Sequence, residues 1–180
     1  MLCFVALDFE TANTAADSAC EIGLARFEDG ALVAQQSWYI RPPTPELRFT
    51  YLHGIDWEMV KDAPDFGTLL PEIEDFIAGA DFLAAHNAAF DARVLRTTAA
   101  RYDRRPPSQP FLCTVKLARA VWNIYPTKLP DVCSALDIEL GRHHRAGFDA
   151  EACGHIVRHA AAHLGEAAFR TQSAPLLRPA

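Results

Sequence analysis

Leu2-Cys3-Phe4-Val5-Ala6-Leu7-Asp8-Phe9-Glu10 is an unbroken apolar run that ends on two acids separated by one residue. Short, continuously apolar and containing β-branched and aromatic members, residues 2–7 read as a central strand. Residues i and i+2 of a strand face the same side, so Asp8 and Glu10 project together from its end while Phe9 turns to the other face. On its own, a D-x-E pair at a strand end is ordinary. Two further acids sit in comparable settings, however: Asp91 closes His86-Asn87-Ala88-Ala89-Phe90-Asp91, and Asp149 closes His144-Arg145-Ala146-Gly147-Phe148-Asp149. An unpaired ionised carboxylate is very costly to desolvate, and four of them on apolar scaffolding point to a cation that none could hold alone.

Outward from the first strand, residues 20–27 and 31–40 read as two more strands around Asp29-Gly30, an antiparallel meander that Arg41-Pro42-Pro43-Thr44-Pro45 brings to an end. Phe66, Leu69, Leu70, Ile73, Phe76 and Ile77 recur at helical spacing, which predicts a helix over 66–78 that Pro71 is placed to bend or split. A buried strand is expected over 81–86, followed by a helix capped by Asn87 and running toward Tyr102. A short strand at 111–113, helices at 114–122 and 129–136, and a final helix with Ala152, Cys153, Ile156, Val157, Ala160 and Leu164 on one face complete the pattern. A meander followed by alternating helices and strands is an α/β arrangement: a mixed sheet of about five strands flanked by helices. One domain over 1–164 is expected, with 165–180 a short, poorly ordered tail.

Of 180 residues, half are hydrophobic and 22% charged, which excludes the low-hydrophobicity signature of disorder. No apolar run reaches membrane-spanning length, and the start lacks a basic leader, which argues against a signal peptide. Five widely spaced cysteines with no C-x-x-C pair indicate neither a disulfide framework nor a cysteine zinc site, so a reducing cytoplasm is the simplest home. The net charge of -6 runs against simple phosphate-backbone binding.

Asp91, early in its helix, shares a face with Val94 and Leu95; it is either a carboxylate favoured by the helix N-terminus or a ligand. Asp149 has core residues Cys153 and Ile156 at i+4 and i+7, which favours a ligand. His144, five residues earlier in a glycine-containing segment, is placed to act as a general base. The His155, His159 and His163 stripe has no added acidic or cysteine ligand nearby and is expected to be a solvated helix face, with no zinc.

In order along the chain, Asp8-Phe9-Glu10-Thr11, Glu21-Ile22-Gly23, the Asp91 segment and the His144 to Asp149 segment resemble the DnaQ-like, DEDDh class of 3'-to-5' exonucleases on the RNase H-like fold. Tyr51-Leu52-His53-Gly54-Ile55 and Cys113-Thr114-Val115-Lys116-Leu117-Ala118-Arg119 resemble further family segments. The related tyrosine class carries a tyrosine four residues before the last aspartate; Arg145 stands there, and His144 matches the histidine class. The resemblance implies two Mg²⁺ or Mn²⁺ ions on Asp8, Glu10, Asp91 and Asp149, with His144 as base and nucleoside 5'-monophosphate released from a DNA or RNA 3' end. It implies terminal-nucleotide contacts from Phe9, Thr11, His53, Asn87 and Phe90. A DNA polymerase or repair protein is a candidate partner, and the chain is a monomer or homodimer. An RNA-trimming exoribonuclease is the alternative, and a binding module without catalysis is opposed by the five filled catalytic positions.

Overall fold

A computed structural model describes residues 2–179. Three strands, β1 (Cys3–Thr11), β2 (Ala19–Glu28) and β3 (Ala31–Tyr39), form the expected meander, and β4 (Phe82–Ala85) and β5 (Phe111–Cys113) complete one sheet in the order β3-β2-β1-β4-β5. β1 pairs antiparallel with β2 and parallel with β4, and β4 pairs parallel with β5. The mixed sheet thus has β1 at its centre. β1 runs four residues further than residues 2–7, because Asp8 to Thr11 keep pairing with β2, across a bulge between Glu10 and Thr11.

The helices are α1 (Thr50–His53), α2 (Trp57–Val60), α3 (Phe66–Ile77), α4 (Ala88–Arg101), α5 (Thr114–Trp122), α6 (Leu129–Ala135), α7 (Ala146–Leu164) and α8 (Glu166–Ser173). Alternation along β1 assigns them to layers. Val5, Leu7 and Phe9 share a buried cluster with α3 and α4, whereas Phe4 and Ala6 share one with α7 and α8. Asp8 and Glu10 continue the second series, so the pleat aims both carboxylates at the face that α7 covers.

Phe4 stands between Phe27 on β2 and Phe82 on β4, with ring centroids 5.1 and 5.3 Å away and rings nearly parallel. Each such pair adds about 0.5–1.5 kcal/mol beyond area burial. The ladder ties the antiparallel half of the sheet to the parallel half next to the acids.

The structure corrects four expectations. α3 passes through Pro71 without a break: its apolar face is buried and Asp65 caps it, accepting from Thr68 N–H at 2.9 Å, so the helix survives loss of the bond to the Gly67 carbonyl. Asn87 caps no helix with its side chain; it is left-handed (φ 71°), a conformation its short amide tolerates, and turns the chain from β4 into α4. The tail expected from residue 165 forms α8 and a 3-10 turn at Ala174–Leu176, with Phe169 fully buried against Phe82 and Arg178 bridged by two main-chain hydrogen bonds to Phe111. One buried aromatic and two leucines suffice here, too sparse a pattern to show as periodicity. The histidine stripe is solvated only in part: His155 and His159 are half-buried, His155 edge-on to Phe27 at 5.2 Å, whereas His163, 6.0 Å from Trp122, is exposed as expected.

All five cysteines are free, and no helix among the described residues is long and apolar enough to cross a membrane.

Candidate active site

At the end of β1, Asp8 lies opposite Gly23 and Glu10 opposite Glu21. Asp149, in the first turn of α7, meets them: ligand oxygens of Asp8, Glu10 and Asp149 all lie within 4.8 Å of one another. Asp91 arrives from the other layer. It is buried at the start of α4 and its Oδ1 accepts the Phe9 main-chain N–H at 3.2 Å, which binds it to the strand between the two other acids.

The cluster is electrostatically unfavourable by itself. Burial, then the charges of Asp91 and Glu10, hold Asp8 well above the usual carboxylate range. Burial, then Asp149, pushes Glu10 up to about 8. Burial raises Asp91 to about 7, against the lowering pull of main-chain N–H groups. Oxygen-only donors held this close, and reluctant to ionise for want of positive charge, fit a hard divalent cation.

Asp149 is also held by the loop before its helix. His143 Nδ1 donates to both of its carboxylate oxygens at 2.9 Å, and the His144 N–H donates to Oδ2 at 3.0 Å. His144 is left-handed (φ 64°), and its ring stacks on His143 at 3.8 Å. Burial and the neighbouring His143 hold His144 below the usual imidazole range, so it is neutral near pH 7 and able to accept a proton.

His143 was not singled out from the sequence, and Glu21 was quoted only within the Glu21-Ile22-Gly23 segment, with no role assigned. Glu21 is buried and accepts from Arg145 Nη2 at 2.9 Å and from the Ala146 N–H at 3.1 Å, while Arg145 also reaches the Tyr39 hydroxyl at 3.1 Å. This ion pair fastens the His144 loop to β2. An acid inside the apolar stretch of β2 was the available signal; for His143, only adjacency to His144.

A cavity of about 960 Å³ opens on the cluster, lined by Asp8, Glu10, Asp149 and His144 and by the rim residues Phe49 and Leu52. Thr11, His53, Asn87 and Phe90 also line it. The structure separates their capacities. Phe90 and Asn87 are exposed, but the Phe9 ring is buried 6.2 Å from Phe66, leaving its main chain toward the cavity. His53 is consumed structurally, accepting from Ile55 N–H at 3.0 Å and donating to the Thr11 carbonyl at 3.2 Å. Arg119 and Lys128 bring positive charge to the same cavity.

The family profile described as exonuclease and named for RNase T matches residues 5–157. The chain belongs to the DnaQ-like exonuclease family. Among curated relatives, DNA polymerase III PolC-type of Oceanobacillus iheyensis is 35% identical over 158 residues, covering 86% of this chain and 11% of the relative. The PolC-type polymerase of Halalkalibacterium halodurans is 33% identical over 161 residues, with the same coverage of both chains. The chain therefore spans about a tenth of the length of these relatives. Among solved structures, exonuclease X in complex with 5' overhanging duplex DNA superposes with a TM-score of 0.77 at 27% identity, covering 98% of this chain and 99% of that one. Exonuclease I superposes with a TM-score of 0.77 at 16% identity over 95% of this chain and 43% of its own, a likeness of fold. The five-stranded mixed sheet of this chain is RNase H-like.

Proposed function

We propose that the chain hydrolyses phosphodiesters from the 3' end of single-stranded or frayed DNA, releasing nucleoside 5'-monophosphates with the help of two Mg²⁺ or Mn²⁺ ions. The observation that carries this reading is the convergence of Asp8, Glu10 and Asp149 within 4.8 Å beside a neutral His144. Asp8, Glu10 and Asp149 would hold the cations, with Asp91 bracing the strand between them. Divalent cations bound in such a site supply positive charge to a phosphodiester undergoing in-line displacement and acidify water. The negative net charge is then no obstacle.

His144 takes the proton from the attacking water at a free ring nitrogen, and the Glu21–Arg145 pair keeps that ring over the cluster. Phe90 at the rim offers a face for stacking, worth about 1–3 kcal/mol per base and insensitive to base identity. Few cations line the cavity, so binding is weak, salt-sensitive and distributive. The likeness to exonuclease X, solved on DNA, favours DNA; the RNase T-type profile supports RNA trimming as the second reading.

Similarity to PolC-type polymerases supports association with a DNA polymerase, and the free cysteines support a cytoplasmic setting. We place the catalytic domain at 1–164, with α8 and the following turn as an appended C-terminal segment. The deciding experiment is digestion of labelled single-stranded DNA, duplex with a frayed 3' end, and RNA of the same sequence, with Mg²⁺ or Mn²⁺. Shortening from the 3' end of DNA ahead of RNA is expected. Failure to shorten any of the three overturns the reading.

A further inference from the structure

A second, smaller cavity of about 220 Å³ adjoins the catalytic one, and Asn87 lines both. It lies along the outer edge of β5, lined by Phe111 at the start of the strand and Cys113 at its end, beside the first turn of α4. Three cationic side chains line it, Arg96 from α4, Lys116 from α5 and Arg178 from the C-terminal segment, and among the described residues no acidic side chain does.

Among the described residues none of the three forms an ion pair. Arg178 is held in place by its own turn, donating through Nη1 to the Pro175 and Leu177 carbonyls at 2.7 Å. Those bonds fix the guanidinium and leave its charge uncompensated. The bridge between Phe111 and Arg178 brings it to the edge of β5.

The wall facing these cations adds to their effect. Asn87 and Ala88 open α4, Cys113 precedes α5, and neither helix start has a side-chain cap. First-turn amides have no intrahelical acceptor, and both helix dipoles place partial positive charge there. Three cations without an ion pair among the described residues, and two helix starts without a side-chain cap, around a cavity lined by no described acid, form a receptor for a tetrahedral oxyanion.

We propose that Arg96, Lys116 and Arg178 hold a backbone phosphate of the substrate strand, upstream of the nucleotide in the catalytic cavity. The choice of a strand rests on the exonuclease reading and on the shared Asn87 wall, which lets one strand pass from cluster to pocket. The pocket then supplies a hold on phosphate that the acidic cluster cannot. It also assigns a substrate role to the C-terminal segment, which carries Arg178.

The test compares wild type with R96Q/K116Q/R178Q. Anisotropy of a labelled single-stranded oligonucleotide in Ca²⁺ is followed across a salt series, with thermal melting as the check on folding. The expected result is affinity about tenfold weaker, and a log-log salt slope shallower by about 0.7 for each phosphate that the variant no longer neutralises. Wild-type affinity and slope in the triple variant overturn the proposal. So does a variant that loses affinity for inorganic phosphate alone while keeping the oligonucleotide, since the pocket would then serve a free anion. Turnover of thymidine 5'-monophosphate p-nitrophenyl ester by the wild type, measured in parallel, tests the catalytic reading without any upstream phosphate. If the ester stays intact while the triple variant loses oligonucleotide binding, the exonuclease reading fails and the phosphate pocket stands.

Discussion

Gly23 of β2 lies against the main chain of Ala146, the first residue of α7, so closely that a Cβ on Gly23 would overlap the Ala146 carbonyl group. Because Gly23 is also the register partner of Asp8, this approach sets how near the start of α7, and with it Asp149, comes to the strand acids. The glycine is needed for close approach of backbone to backbone, not for an unusual dihedral.

Gly23→Ala should therefore push α7 away from β2. The expected cost is about 1–3 kcal/mol from overpacking, since the obstructing atoms are main chain and cannot swing aside. Thermal melting reads the loss, and divalent-cation affinity should fall with it. A variant of wild-type stability and affinity would show that α7 is positioned by other contacts.

The acids make the metal-free protein sensitive to pH. Glu10 rises from an ordinary 4.5 to about 8 and Asp91 from 3.8 to about 7. A carboxyl whose folded value is raised binds its proton more tightly in the folded state, so its stabilisation is full below the unfolded value and is lost as pH rises through the folded one. In EDTA the melting temperature should fall between about pH 4 and pH 8, and saturating Mn²⁺ should flatten the decline. Glu10→Gln should flatten it without metal. A melting temperature that rises across this window contradicts the assigned electrostatics.

Asp8→Ala should abolish hydrolysis without unfolding the chain, since it removes a carboxylate that is repelled rather than paired. Circular dichroism and 3'-end digestion are the paired readouts; full activity in the variant refutes the metal role.

The two histidines of the loop should separate by function. His144→Ala is expected to lower the rate about 10²- to 10⁴-fold with metal affinity retained, the range for a positioned general base. Its depressed titration predicts that the acid limb of the wild-type pH profile lies below the ordinary 6.5. His143→Ala instead frees Asp149 Oδ1, leaves Oδ2 with only the His144 N–H, and should strengthen Mn²⁺ binding measured by calorimetry. Loss of metal affinity in the His144 variant would make that residue a ligand.

Glu21→Gln should cost about 1–3 kcal/mol, because Arg145 and the Ala146 N–H lose a charged acceptor. If the ion pair acts by holding His144, kcat falls while KM and Mn²⁺ affinity stay near wild type. A change confined to KM would give Glu21 a different part.

Much of the site was legible in the sequence because its acids are embedded in regular patterns. Asp8 and Glu10 follow from strand alternation, and Asp149 from its place on an apolar helix face. Asp91 stayed ambiguous, and only the fold shows that its carboxylate bonds the Phe9 main chain rather than simply meeting its own helix start. His53 and Phe9 carry a motif but spend their side chains on backbone bonds and core packing, which no local pattern reveals.

The chain's own text determined which residue types stand at the end of each element: apolar periodicity governs the short-range burial that makes strands and helices. What the tertiary structure decided is which ends meet. The approach of α7 to Gly23, the clamp of Arg145 on Glu21, the hold of His143 on Asp149 and the arrival of Arg178 beside Arg96 and Lys116 all join residues far apart in sequence or set by loop geometry. Such meetings depend on fit and charge across packed layers, and no periodicity within one segment encodes them.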